Sequence, residues 1–144
     1  MLKPFRFITN LGSPTQWDVS DYLNYVGKIS DGLPPDLISM TSAERYRLDS
    51  ENSFWNATLA KMESDGLNLF LDFLSDSGCR RFSFEYNEVM VVRTDLVQIK
   101  CMPSMVMQEI VLRGKAIRHG ISLLNGKFLV VICRRMRFVE NCVQ

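Results

Sequence analysis

One histidine, His119, occurs in 144 residues. General acid–base catalysis draws most often on histidine, and nucleophilic sites usually orient one against serine or cysteine. Such chemistry must therefore pass through His119, paired with Cys101 or Cys133, or do without imidazole. The four cysteines, Cys79, Cys101, Cys133 and Cys142, form no CxxC. A structural zinc site wants about four soft ligands, normally in close pairs. No metal is expected, and free thiols in a reducing compartment are the simpler reading. The glycines build neither GxGxxG nor GxxxxGK[ST], so the common phosphate cradles are excluded and no cofactor is expected. No apolar run approaches the ~18 residues of a membrane span. The start, Met1-Leu2-Lys3-Pro4-Phe5-Arg6, lacks the apolar core of a signal peptide. A cytoplasmic protein without membrane contact is the default expectation.

What is present is the composition of an ordinary globule, 47% apolar and 23% charged. The length suits a single domain over residues 1–144. The net charge of +1 hides an asymmetry. Residues 1–78 carry 6 Lys+Arg against 11 Asp+Glu, whereas residues 79–144 carry 11 against 5. An acidic front and a basic back either mark two surfaces or pair internally when the halves pack.

The strongest pattern lies between Thr58 and Arg93. Leu67, Leu69, Leu71 and Phe73 alternate with Asn68, Phe70, Asp72 and Leu74, and then Phe82, Phe84 and Tyr86 alternate with Arg81, Ser83, Glu85 and Asn87. A period of two is what a strand with one buried face requires. Asp65-Gly66 and Ser77-Gly78 supply turns, so the stretch predicts an antiparallel meander. Val89 to Val92 either continues its third strand past a bulge or begins a fourth. A second unit follows: strands over Val106–Arg113, Ala116–Leu123 and Lys127–Val139, with Asn125-Gly126 predicting a tight type I′ hairpin.

Ahead of the meander, Phe5-Arg6-Phe7-Ile8 reads as a short strand. Tyr22, Leu23, Tyr25, Val26 and Ile29 form a helical stripe that Asp18 or Ser20 can cap and Asp31-Gly32 stops. Leu33-Pro34-Pro35-Asp36 restarts the chain, with a brief helical turn over Leu37–Met40. Together these predict an α+β fold: a meander plus a second hairpin unit, covered by one main N-terminal helix.

The order of parts resembles a set of small bacterial α+β proteins of uncharacterised function. In them an LPPxL-like stretch, an S-[LF]-H-D-A-like stretch, a meander and a late hairpin follow one another. The matching residues here are Leu33-Pro34-Pro35-Asp36-Leu37, Tyr46, Ser53-Phe54-Trp55-Asn56-Ala57, Gln108-Glu109-Ile110 and Arg118-His119-Gly120-Ile121. More distantly the layout is similar to immunity proteins of bacterial toxin systems. The resemblance implies a small cytoplasmic protein that occludes a toxin without chemistry of its own. It departs at its most chemical point, where Trp55-Asn56 replaces the His-Asp pair, so histidine chemistry does not carry over.

Two surfaces are candidates for contact. The acidic front offers Asp18, Asp21, Asp31, Asp36, Asp49 and Glu51 with Tyr46, a pattern that suits a basic protein partner such as a toxin domain. The alternative is nucleic-acid binding by Arg113, Arg118, Arg134, Arg135 and Arg137 on the last strands. Against it, Arg134 and Arg135 alternate in direction, and the pI of 7.6 falls short of a strongly basic footprint. His119 shares a strand face with Ile117 and Ile121, which favours a packed histidine over a catalytic one. Trp55 is expected to fill the core. A non-enzymatic binding protein is therefore the reading; the oligomeric state is not legible.

Overall fold

The alternation in the centre of the chain folds as it reads. The structure, a computed structural model, describes residues 4–13, 16–47, 50, 52–95 and 103–143 (of residue 125, the backbone alone). Strands β3 (Thr58–Asp65), β4 (Asn68–Leu74) and β5 (Arg80–Thr94) form an antiparallel meander. Leu69, Leu71, Phe73, Phe82, Phe84 and Tyr86 all turn inward and are buried. Leu67 breaks the series. It sits in the two-residue turn beside Gly66, whose φ of 60° a side chain would resist, and it is exposed. β5 runs on through the valines past a bulge between Val89 and Val91, with Glu88 at φ 53°.

The second unit comprises β6 (Met105–Arg113), β7 (Ala116–Leu123) and β8 (Phe128–Cys142). β8 pairs with β5, so the two units join as one six-stranded sheet of order β3-β4-β5-β8-β7-β6. The expected two-residue turn at Asn125-Gly126 is a wider one. Leu124–Gly126 form a 3-10 turn that the Leu123 amide closes on the Lys127 carbonyl at 2.7 Å, while Leu124 donates its amide to Ser104 at 2.8 Å. The two edge strands then meet at one end: Leu59 donates to Pro103 at 2.9 Å, and Asn56 to Met105 at 2.7 Å. A bridge pairs Thr58 with Ser104. The sheet curls towards a barrel pinned at this corner, with the apolar faces inside.

Two α-helices accompany the sheet rather than one main cover: α1 (Ser20–Ile29) and the shorter α2 (Pro35–Met40), which starts on Pro35. A small hairpin, β1 (Thr9–Ser13) with β2 (Gln16–Asp18), precedes them. Phe5–Ile8, expected as a strand, is not one; the strand begins at Thr9. The reason is Glu109. Its buried carboxylate accepts the backbone amides of Arg6 (2.7 Å), Phe7 (2.7 Å) and Ile8 (3.0 Å), the groups a neighbouring strand would have taken. Arg118 fixes the Pro4 carbonyl at 2.8 Å, and Phe7 stacks on Tyr25. The segment passes so close to β7 that a Cβ on Gly120 would overlap the Pro4 carbonyl.

Arg45 is, with Glu109, one of two buried ions among the described residues. All five of its N–H donors are used: on Ser39 (carbonyl and hydroxyl), on the Asn52 carbonyl, and on both carboxylate oxygens of Glu140. Its guanidinium lies over Phe54, Phe82 and Phe138 at 5.1–5.7 Å. Phe54, not Trp55, fills the core here. Trp55 is half-buried beside a small cleft of about 80 Å³ that Trp17 and Val19 also line.

These contacts predict how the N-terminal segment comes loose. Glu109→Ala removes the acceptor of three amides and is expected to cost on the order of 3 kcal/mol in urea unfolding. Gly120→Ala should expose the Arg6, Phe7 and Ile8 amides to hydrogen exchange as Glu109→Ala does. The pair should be less than additive, since both act on one contact. Full additivity, with those amides still protected, would count against the account.

Candidate functional site

His119 lies where its strand pattern puts it, on the inner face and fully buried. Tyr86 Oη stands 2.6 Å from Nδ1, and Gln108 Oε1 stands 2.8 Å from Nε2. The Gln108 amide nitrogen donates to the Met40 carbonyl and to Tyr46 Oη. A carbonyl can only accept, so this fixes the amide's orientation: Oε1 faces the imidazole and accepts from Nε2–H. Nδ1 then accepts from the Tyr86 hydroxyl, and the ring is neutral. Burial pushes the imidazole down to about 3. Burial also raises the Tyr86 and Tyr46 hydroxyls well above their usual range, and lifts the Cys133 thiol to about 11. No buried side-chain nitrogen or oxygen among the described residues lacks a partner. The column from Tyr86 to Tyr46 is closed by hydrogen bonds, and its chemistry is that of a packed core.

The described acidic candidates, Asp18, Asp21, Asp31 and Asp36, are spread over α1, its far end and α2. Asp18 and Asp21 stand at the start of α1, and Asp31 lies beyond its other end, about 15 Å away for a helix of 10 residues. The Ser20 hydroxyl and amide hold the exposed Asp18 carboxyl below the usual carboxylate range. Asp36 turns towards β8, where Oδ2 accepts the Phe138 amide at 2.8 Å. Tyr46 points inward, its hydroxyl on the Gln108 carbonyl. Asp49, Glu51 and Cys101 lie outside the described residues.

The arginines divide as well, but three of them gather. Arg118 is half-buried and turned to Pro4, and Arg113 is exposed at the β6–β7 turn. Arg134, Arg135 and Arg137 are exposed on the second half of β8 and line a groove of about 660 Å³. Pro34 and Asp36 of the α2 entry close one side, and Ile117 of β7 closes another. The groove exists because β7 pairs with β8 only from Phe128 to Cys133 and then turns away. Glu85 sits 3.8 Å from Arg137 and Glu88 3.7 Å from Arg135, long contacts between largely exposed side chains that hold little. The runs of residue types gave the arginines and the bounds of β7; nothing in them signalled the register in which β7 meets β8.

No protein family model matches this chain, and no curated protein sequence matches it. Among solved structures it is similar to an uncharacterised protein from Neisseria gonorrhoeae, at 14% identity and a TM-score of 0.48. That match spans 58% of this chain and 90% of the other. No helix of the described residues is long and apolar enough to cross a membrane, and no cluster of potential metal ligands is present among them.

The depressed histidine makes stability depend on pH. Above 6.5 the ring is neutral folded and unfolded, and it contributes no slope. Between 6.5 and about 3 only the unfolded chain takes the proton, so this group's contribution falls as pH falls, by about 1.4 kcal/mol per unit. Unfolding free energies from pH 7 to 4 should show the decline. Nitrogen NMR should keep the native ring neutral at pH 5, and a native ring titrating near 6.5 would contradict the closed column.

Proposed function

We propose that this protein works by binding another protein, as an immunity-type protein does when it occludes a toxin, and not by bond-making chemistry. The observation that carries this reading is a division of labour. The one histidine, His119, is buried with Tyr86 and Cys133, so the exposed thiols of Cys79 and Cys142 have no imidazole to activate them, while a groove of about 660 Å³ lined by Arg134, Arg135 and Arg137 is open to a partner. The scatter of Asp18, Asp21, Asp31 and Asp36 weakens the version in which an acidic front steers a basic toxin. It favours contact at the arginines instead.

Nucleic-acid binding is the second reading, supported by the same three arginines. Asp36 and Glu85 in the lining oppose it, because a phosphate chain tracks unbroken positive charge. A steep fall of oligonucleotide affinity with salt would favour it.

The test of the first reading is co-expression with the product of the neighbouring gene. The two should co-purify, and the protein should rescue cells that the neighbour alone arrests. Absence of both complex and rescue would refute it.

A further inference from the structure

Resting on that reading, we propose that the open edge of β8 between Arg134 and Phe138 receives an extended acidic segment of the partner as a short added strand. From Arg135 to Cys142, β8 keeps an unbroken register with β5. The Phe138 amide meets Asp36, so it points away from β5. Backbone groups alternate sides along a strand, and therefore the Met136 amide and carbonyl point the same way, into the groove. β7 would have covered them had it continued beyond Ala116. An added segment thus takes the position that β7 vacates, with one end beside Ile117 and the other beside Pro34.

Asp36 shows what chemistry this edge accepts. A carboxylate oxygen already stands in for a strand carbonyl on the Phe138 amide. Three arginines, Arg134, Arg135 and Arg137, outnumber the carboxylates Asp36 and Glu85 around the vacant stretch, and Arg113 and Lys115 are exposed at the adjoining turn. Arg135 and Arg137 make long pairs to Glu88 and Glu85, which a partner's carboxylates can replace at little cost. A peptide alternates donors and acceptors as a strand edge does. A phosphate backbone offers acceptors alone, leaving the Met136 carbonyl unmet. The edge therefore fits a peptide better than a nucleic acid.

The experiment uses the full chain and short labelled peptides that alternate valine with glutamate. One control carries lysine in place of glutamate, one is N-methylated at its central amides, and the last is a short oligothymidylate. The acidic peptide should bind and shift the Met136 amide in nitrogen–proton NMR spectra. The lysine and N-methylated peptides should bind about tenfold more weakly or worse, as should the acidic peptide to an Arg134→Glu, Arg137→Glu variant. Both positions are exposed, and circular dichroism checks that the variant folds. Indifference to glutamate or to N-methylation, shifts remote from Met136, or tighter binding of the oligonucleotide would each overturn the inference. The partner assay separates it from the broader reading. A neighbour product that binds wild type and the double variant alike removes this surface but leaves the binding function. One that binds neither removes the function, and the peptide result still decides the edge.

Discussion

Strand edges carry backbone amides and carbonyls that must find partners, and in this protein each rim of the sheet finds them differently. At one corner β3 and β6 bond to each other, which curls the sheet. Along the free side of β6 the hydroxyls of Tyr22 and Tyr25 from α1 accept the Ile110 and Leu112 amides, at 3.0 and 2.9 Å. On β8 the Asp36 carboxylate does the same for Phe138. The helices are positioned less as covers than as sources of acceptors for exposed edges. Where that provision stops, past the end of β7, the groove begins.

The interior obeys the same demand in side-chain form. Gln108, Glu109 and His119 are among the least exposed residues of the chain, and each meets complementary donors or acceptors. Glu109 uses its charge to hold the N-terminal segment and Arg45 uses its own to join the turn before β3 to the end of β8. Buried ions cost desolvation, and good geometry offsets much of it. What they contribute here is location: the ends of the chain are held by side chains distant in sequence.

The residues that carried the resemblance turn out to be architectural. Leu33 and Leu37 are buried around the start of α2, and Pro35 opens it. In the Ser53–Ala57 stretch, the Ser53 hydroxyl ties the Arg45 carbonyl to the Trp55 amide, Phe54 fills the core, and Asn56 takes φ 60° before the chain enters β3. Asn tolerates that conformation where most residues do not. These positions define a corner of the fold.

Alternating apolar residues determined the meander, the second strand unit and the inward side of His119 from sequence alone, because a period of two is a local property and needs no knowledge of neighbours. The stripe of Tyr22, Tyr25 and Ile29 gave α1 for the same reason. Phe5–Ile8 looked equally strand-like, yet its amides went to Glu109, more than 100 residues away, and no local pattern encodes that. Nor did the chain disclose that Arg134, Arg135 and Arg137 share a groove while Arg118 turns inward. Register and strand order decide which edge lies open, and they are settled only when β7 and β8 pair. Residue types fixed the available chemistry; the pairing of distant strands decided what remained accessible.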